Sequence, residues 1–291
     1  MTSTAPARDS SRPPATAPVM ALVLTYNAPR ALERCLTAIA AQTLRPASVV
    51  VIDNAGSTPT EEVVDRIDGL EVEVLRMEHN TGPAGGHAAG LRHFLASSLP
   101  QAWVMDDDCV PEATCLAELE AERSRNDRPA LIFPTWIDEP SGEVVNWPAW
   151  CGFLVARQVV ADVGVPREDF FWWAEDTEYL HYRIPVAGHL VSRADEARVL
   201  HGRVRAGTSK PAWKVYYEVR NSVYYRLWVQ RRRGRRFYRL GRTLLRMLGG
   251  VLLREDDRPR KLWLYARGVF DGLLGRLGKR VPVEIAEQPR P

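Results

Sequence analysis

Along residues 19–125 the chain alternates short apolar, β-branched runs with segments whose apolar residues recur every three to four positions. Residues 19–25, 48–52, 71–77 and 101–105 read as strands, and residues 29–42, 60–67, 84–98 and 111–125 as helices. Strands separated by helices and short connections leave little freedom, because a crossover helix returns the chain parallel to the strand before it and covers one face of the sheet. The expected fold class is therefore α/β, a Rossmann-like, mostly parallel sheet with helices on both faces. Ligands of such sheets bind beyond the carboxyl ends of the strands. Thr25-Tyr26-Asn27, Asp53-Asn54, the stretch 79–86 and Asp106-Asp107-Asp108 each follow a strand, so four polar clusters are expected along one sheet edge.

The acidic triplet is the sharpest of these. Three adjacent carboxylates repel one another unless a positive charge joins them, and Mn²⁺ or Mg²⁺ takes oxygen ligands while sharing its remaining positions with phosphates. A solvated acidic turn capping a helix near Pro111 is the plainer alternative. The glycine-rich stretch Asn80-Thr-Gly82-Pro-Ala-Gly85-Gly86 leads into a helix whose free N–H groups suit a phosphate, or is simply a turn. Asp53 can accept the imide N–H of a uracil or thymine ring, or cap the following helix. Glu175 and Asp176 follow Phe170-Phe-Trp172-Trp173, an apolar setting that favours a base able to take a proton from a hydroxyl. Opening a helix, where acids suit the dipole, is their plainer reading. Trp147, Trp150 and Trp172, with Trp173 beside them, offer flat faces on which a sugar ring packs. His201 ends an apolar run and has Arg203 and Arg205 close behind, basic neighbours that suit a diphosphate.

Composition sets the surroundings of this region. With 45% hydrophobic and 26% charged residues the chain has the make-up of a soluble globular protein. Its net charge of +3 conceals an asymmetry: residues 226–280 carry 17 Lys/Arg against 4 Asp/Glu, so the rest is acidic. An acidic body that needs cations is thus joined to a basic tail that needs an anionic surface. The tail mixes arginines with Leu and Trp at helical spacing, as helices lying on a membrane do, although a packed helical cap with a solvated basic face fits as well. No nucleic-acid module accompanies the basic residues, so nucleic acid is not an expected partner. Cys35, Cys109, Cys115 and Cys151 form no C-x-x-C pair and fit reduced thiols of a cytoplasmic protein. Residues 1–18 read as a disordered leader, and no apolar run is long enough to span a bilayer.

Taken in order, Thr25-Tyr26-Asn27, Asp53-Asn54, the turn 80–86, Asp106–Asp108, Trp173-Ala-Glu175-Asp176, His201 and Tyr217-Glu-Val-Arg-Asn221 resemble the family-two glycosyltransferases of the GT-A fold. Within them they resemble the bacterial galactofuranosyl- and rhamnosyltransferase-like enzymes. The resemblance covers about residues 19–228 and implies a GT-A catalytic domain at 19–225. Its donor-binding half is 19–130 and its acceptor-binding half 131–225, with a basic helical extension at 226–291. It implies that Thr25, Tyr26, Asn27 and Asp53 surround the nucleotide base, and that Asn80, Gly82, Gly85 and Gly86 flank the nucleotide sugar, with Asp106 and Asp107 near the ribose and metal. Asp106, Asp108 and His201 are the implied ligands of Mn²⁺ or Mg²⁺; the triplet leaves open whether Asp106 or Asp107 touches the ion first. Asp176 is the implied general base, Glu175 orients donor or acceptor, and Trp150, Trp172 and Trp173 meet the acceptor. The implied reaction is inverting transfer of galactofuranose from a UDP-sugar to a glycan or polyprenyl-diphosphate-linked acceptor in cell-envelope polysaccharide synthesis. Rhamnose from a dTDP-sugar is the alternative. The protein is expected in the cytoplasm, peripheral at the inner face of the cell membrane. A catalytically silent nucleotide-sugar or membrane-docking module is the competing class, and it is disfavoured because Asp108, Asp176 and His201 are all present.

Overall fold

The computed structural model describes residues 15–125, 127–139, 141–202, 209–230 and 235–283. Its first half is β1 (Ala15–Thr25), α1 (Pro29–Ala40), β2 (Leu44–Asp53), α2 (Thr60–Val64), β3 (Val72–Arg76), α3 (Gly82–Ala96) and β4 (Gln101–Asp106). These strands lie in the order β3-β2-β1-β4, all parallel. The register sets Leu24 beside Asp106 and Thr25 beside Asp53, which brings the three strand ends level. Helix α1 forms because Leu32, Cys35, Leu36 and Ile39 make one apolar stripe, and all four are buried against the sheet. Each such side chain contributes about 1.5–3 kcal/mol on burial. Helix α3 covers the opposite face and sits unusually close, since a Cβ at Gly86 would stand 2.3 Å from Leu24 Cδ1.

The second half is β5 (Cys109–Pro111), α4 (Cys115–Ser124), β6 (Ala130–Asp138), β7 (Val144–Val145), β8 (Cys151–Ala156), α5 (Arg157–Val163), α6 (Glu175–Glu178), α7 (Ile184–Val186), β9 (Leu190–His201), α8 (Ala212–Tyr224), α9 (Arg236–Arg254) and α10 (Arg258–Leu273). Here the sheet departs from the mostly parallel expectation and becomes mixed: β8 runs antiparallel to β4 and β6, and β5 antiparallel to β9. No helix separates β6 from β8, so the chain has no crossover and must return antiparallel. Pro111 ends β5 at the sheet edge, where its missing N–H costs nothing, and the helix expected from residue 111 starts at Cys115. Strand β1 likewise begins at Ala15, inside the stretch read as a leader, because β2 extends back to Leu44 and offers it a partner. Residues 1–14 lie outside the described residues.

The basic tail is fastened to the body that carries the sheet. Helix α10 crosses α8 through Gly268 and Gly272, where an added Cβ would stand 2.8 Å from Tyr216 O and 2.6 Å from Arg220 O. Lys261 is buried and pairs with Glu255 at 2.8 Å and Asp256 at 2.6 Å. No described helix is long and apolar enough to cross a membrane.

Candidate active site

The ends of β1, β2 and β4, the start of α3 and the start of α8 enclose a cavity of about 390 Å³. Its floor is the acidic triplet. Asp107 donates its backbone N–H to Leu24 O at 3.0 Å and accepts the Thr25 hydroxyl at 2.6 Å, so β1 fixes its side chain. Asp106 Oδ1 lies 2.9 Å from His87 Nε2. His87 is buried against Trp150, ring on ring at 4.0 Å, and burial pushes its pKa down to about 3, leaving a neutral imidazole. Burial also pushes the carboxyls of Asp106 and Asp107 well above the usual range, and the charge of Asp108 adds to the rise in both.

Pairing of β5 with β9 sets Cys109 opposite His201, and His201 Nε2 consequently lies 3.3 Å from Asp108 Oδ1. That oxygen is buried and accepts no hydrogen bond. A buried carboxylate oxygen left in this state beside an imidazole is a ready seat for a divalent ion, and the oxygen and nitrogen donors suit Mn²⁺ or Mg²⁺. The two residues are ninety-three positions apart in the chain, and the three-residue strand β5 is what unites them.

Glu175 and Asp176 open α6 after a strained approach: Phe171, Trp173 and Ala174 have φ of 64°, 76° and 66°. Bulky residues in the left-handed region cost of order 1–3 kcal/mol each and persist only when their surroundings hold them. The clamp is on α8. Asn221 Nδ2 reaches the carbonyls of Phe170, Trp172 and Trp173 at 2.9, 2.8 and 2.8 Å, and Arg220 donates to Phe170 O at 2.8 Å. Both clamp residues are fully buried. Gly82 completes the fit, since a Cβ there would stand 1.9 Å from Phe171 O. Glu175 is buried, one of its oxygens accepts no hydrogen bond, and burial followed by the charge of Asp176 pushes its carboxyl well up. Asp176 is half-buried, with Oδ1 accepting the Thr177 N–H at 2.6 Å, and its charge acts on Asp106 and His87 as well.

Of the residues expected from sequence, Thr25, Tyr26, Asn80, Gly82, Asp106, Asp107, Asp108 and Trp172 line the cavity. Others are placed differently. Asp53 is buried and spends its oxygens on Gly56 N, Thr60 Oγ1 and Arg76 Nη1 at 2.8, 2.8 and 2.7 Å. Asn27 Oδ1 accepts the Ser57 N–H at 2.6 Å. Both shape the loop after β2 instead of offering a free group to the cavity. Gly85 and Gly86 admit Thr81 and Leu24 in helix packing and do not line the cavity. Trp150 is buried between His87 and Tyr179, so it presents no face to a sugar. Trp173 is 43% exposed, and it, Glu175, Asp176 and His201 stand outside the cavity lining. Arg203 and Arg205 lie outside the described residues.

Sequence reasoning missed His87, Lys214, Trp213 and Val283. Lys214 stands on the cavity wall over the rings of Trp172 and Trp213 at 5.1 and 5.5 Å, and burial lowers its pKa. It lies three residues before Tyr217, the start of the motif already singled out, which is the one signal that points to it. Val283 reaches the cavity because the segment after α10 turns back: Gly278 N donates to Asp169 O at 2.6 Å, and the Tyr217 hydroxyl bonds to Val281 O at 2.9 Å.

A model of glycosyl transferase family 2 matches residues 21–182. The galactofuranosyltransferase GlfT1 of Mycobacterium tuberculosis is 28% identical over 304 residues, spanning 90% of this chain and 95% of that one. The GlfT1 of Mycolicibacterium smegmatis is 32% identical over 63% of this chain and 70% of its own. Among solved structures, S. aureus TarS 1–349 in complex with UDP-GlcNAc superposes with a TM-score of 0.62 at 15% identity, covering 88% of this chain and 80% of that one. The mannosyltransferase PcManGT from Pyrobaculum calidifontis, in complex with GDP-Man and Mn²⁺, gives 0.56 at 16% identity, covering 91% and 79%. These likenesses establish the GT-A fold.

Proposed function

The chain belongs to glycosyl transferase family 2 and is a glycosyltransferase, and from that premise we propose that it moves galactofuranose from UDP-galactofuranose to a hydroxyl of a glycan or polyprenyl-diphosphate-linked acceptor, in cell-envelope polysaccharide synthesis, with Mn²⁺ or Mg²⁺. The sugar rests on the likeness to proteins named as galactofuranosyltransferases, one of them matched over 90% of this chain and 95% of its own. The observation that supports the catalytic reading is the approach of His201 to Asp108, the carboxylate of the pair that lines the cavity.

Asp106, Asp108 and His201 would hold the ion, which when bound stabilises the leaving diphosphate as a Lewis acid. Asp107 stays with Thr25 and keeps the triplet in place. Tyr26, Asn80 and Gly82 form the donor side of the cavity, and Asp53 with Arg76 holds the loop that bounds it. Asp176 takes the proton of the attacking hydroxyl, and attack from the face opposite the leaving group inverts the anomeric centre. Glu175, whose carboxyl is pushed well up by burial and then by the charge of Asp176, stands beside that base and orients donor or acceptor. Trp172 and Trp173 offer the acceptor its flat surfaces.

The acceptor reading extends to the tail. Exposed Tyr238, Leu245 and Leu252 repeat every seven residues along α9, with exposed Arg239, Arg242 and Arg246 beside them. Trp263 and Phe270 stand exposed on α10. Apolar stripes edged by arginine fit an anionic leaflet and support a position at the inner face of the cell membrane, beside a polyprenyl-linked acceptor. The deciding experiment is a panel of nucleotide sugars with Mn²⁺ or a chelator, read by nucleotide release and thermal protection. UDP-galactofuranose is expected to be turned over and to protect only with the cation. Preference for dTDP-rhamnose overturns the sugar, and equal protection with chelator overturns the metal.

A further inference from the structure

We propose that Cys109, Cys151 and His201 form a second cation site, one that takes a soft divalent ion of the zinc class and draws on the same imidazole that faces Asp108. Antiparallel pairing of β5 and β9 sets Cys109 directly opposite His201, so the two side chains share a face of the sheet. Cys151 enters from β8, beside the end of β4, and its sulfur lies 3.3 Å from that of Cys109. One donor atom from each of the three residues lies within 4.8 Å of the other two. Neither cysteine is in a disulfide, and both are buried. Zinc–sulfur bonds of about 2.3 Å at a tetrahedral angle set two sulfurs roughly 3.8 Å apart, so the thiols need part by only about half an ångström.

Ligand chemistry separates this set from the carboxylates beside it. Thiolate and imidazole select zinc-like ions, whereas carboxylate oxygens suit Mg²⁺ and Mn²⁺. Binding is balanced as follows: the ion displaces one proton from each thiol to the buffer, and two thiolates then cancel its two charges. A neutral cluster of this kind is compatible with a buried, apolar setting in a way that a lone charge is not. Water takes the fourth position, which leaves the cluster neutral. His201 thereby stands between two donor sets, and an ion held by the thiols withdraws its ring from the hard cation. Soft-metal binding itself does not depend on the proposed transferase mechanism; its inhibitory consequence does.

The test uses the full chain, reduced with a phosphine and stripped of metal. X-ray absorption of the complex with one equivalent of Zn²⁺ is expected to show two sulfur neighbours, and Co²⁺ as a probe should give an intense thiolate-to-metal charge-transfer band. Cys109→Ser and Cys151→Ser should each abolish that band, and Cys35→Ser should retain it. A shell of nitrogen and oxygen alone overturns the site, and this measurement on the unaltered protein stands even where a serine variant fails to fold. One equivalent of Zn²⁺ should also weaken Mn²⁺-dependent UDP binding by about tenfold or more, following the stronger binding of zinc to nitrogen and sulfur sites. Sulfur ligation with Mn²⁺-dependent UDP binding untouched would keep the soft site and remove His201 from the hard one.

Discussion

The two halves of the proposed active site are built by opposite means. The donor half gathers Thr25, Asp106 and Asp107 at adjacent strand ends, where parallel register alone makes them neighbours. The catalytic half gathers Glu175 and Asp176 by force: three residues in left-handed backbone are held by Asn221 and Arg220 from a helix some fifty positions on. A site at strand ends comes with the sheet and tolerates change around it. A site on a strained loop is only as good as its clamp, so its failures should appear in turnover while donor affinity survives.

The largest effect belongs to the donor half. Asp108→Ala should remove Mn²⁺-dependent UDP binding altogether, because the remaining carboxylates have other partners in Thr25 and His87. Titration calorimetry with and without Mn²⁺ checks this, and undiminished affinity would exclude Asp108 from the metal site. Asp176→Asn should instead leave UDP binding intact and lower turnover by roughly 10² to 10⁴, the range for a lost general base. Asn221→Ala tests the clamp. It touches no substrate, yet with three carbonyls released the loop should drift, and a displacement of about 1 Å costs near 10² in rate. Lower kcat at unchanged donor affinity is expected; a parallel loss of both would merge the two halves into one unit.

How far each half is legible follows from the same difference. The acidic triplet, Thr25, Tyr26 and Asn80 could be placed because the rule for strand ends needs only the order of strands and helices. That rule locates residues and does not say what their side chains do. Asp53 and Asn27 stand where expected, but their oxygens are taken up by the loop between β2 and α2. Trp150 offers a flat ring in the sequence, but in the fold that ring is covered by His87, a residue with no signal of its own beyond following Gly86. Lys214 and Val283 reach the cavity only through the packing of α8 and the return of the chain after α10, contacts between distant segments that no local pattern encodes. Strand β5 escaped notice because three residues ending in proline look like a helix start. The motif ending in Arg220 and Asn221 was visible throughout, yet its function as a clamp required the geometry of the loop it holds.

A smaller effect distinguishes the halves by pH. Asp106 and Asp107 have folded pKa values raised above their unfolded ones, so their contribution to stability is fully present below the unfolded pKa and is lost as pH rises through the folded value. The metal-free protein should therefore lose thermal stability as pH rises above the unfolded carboxyl value of about 4. Cation binding needs the ionised carboxylates, so stabilisation by Mn²⁺ should grow across the same interval. At a hundredfold excess over its Kd the ion contributes about 2.7 kcal/mol. Melting curves with and without Mn²⁺ check the sign, and an increment that shrinks with pH would contradict a carboxylate-bound ion.

The smallest effect concerns the tail, which shares the cavity wall through Val283 yet keeps its arginines and apolar stripes on the outside. Replacing Arg239, Arg242 and Arg246 with Glu leaves the inward residues Leu240, Leu244 and Val251 untouched, so α9 should stay packed on α8. Each basic residue near an anionic leaflet is worth roughly 1 kcal/mol. Reversal of three should release the protein from vesicles containing acidic lipid while turnover on a short, water-soluble acceptor persists. Binding of the unaltered protein should also weaken with added salt, since screening shortens the reach of exposed charge to about 8 Å at physiological ionic strength. Truncation after residue 226 would be a poor substitute, because it removes Gly278 and Val281, which brace Arg220 and Tyr217, and so damages the clamp along with the tail. Equal sedimentation with neutral and acidic vesicles, before and after reversal, would leave α9 and α10 as a helical cover whose basic face is merely solvated.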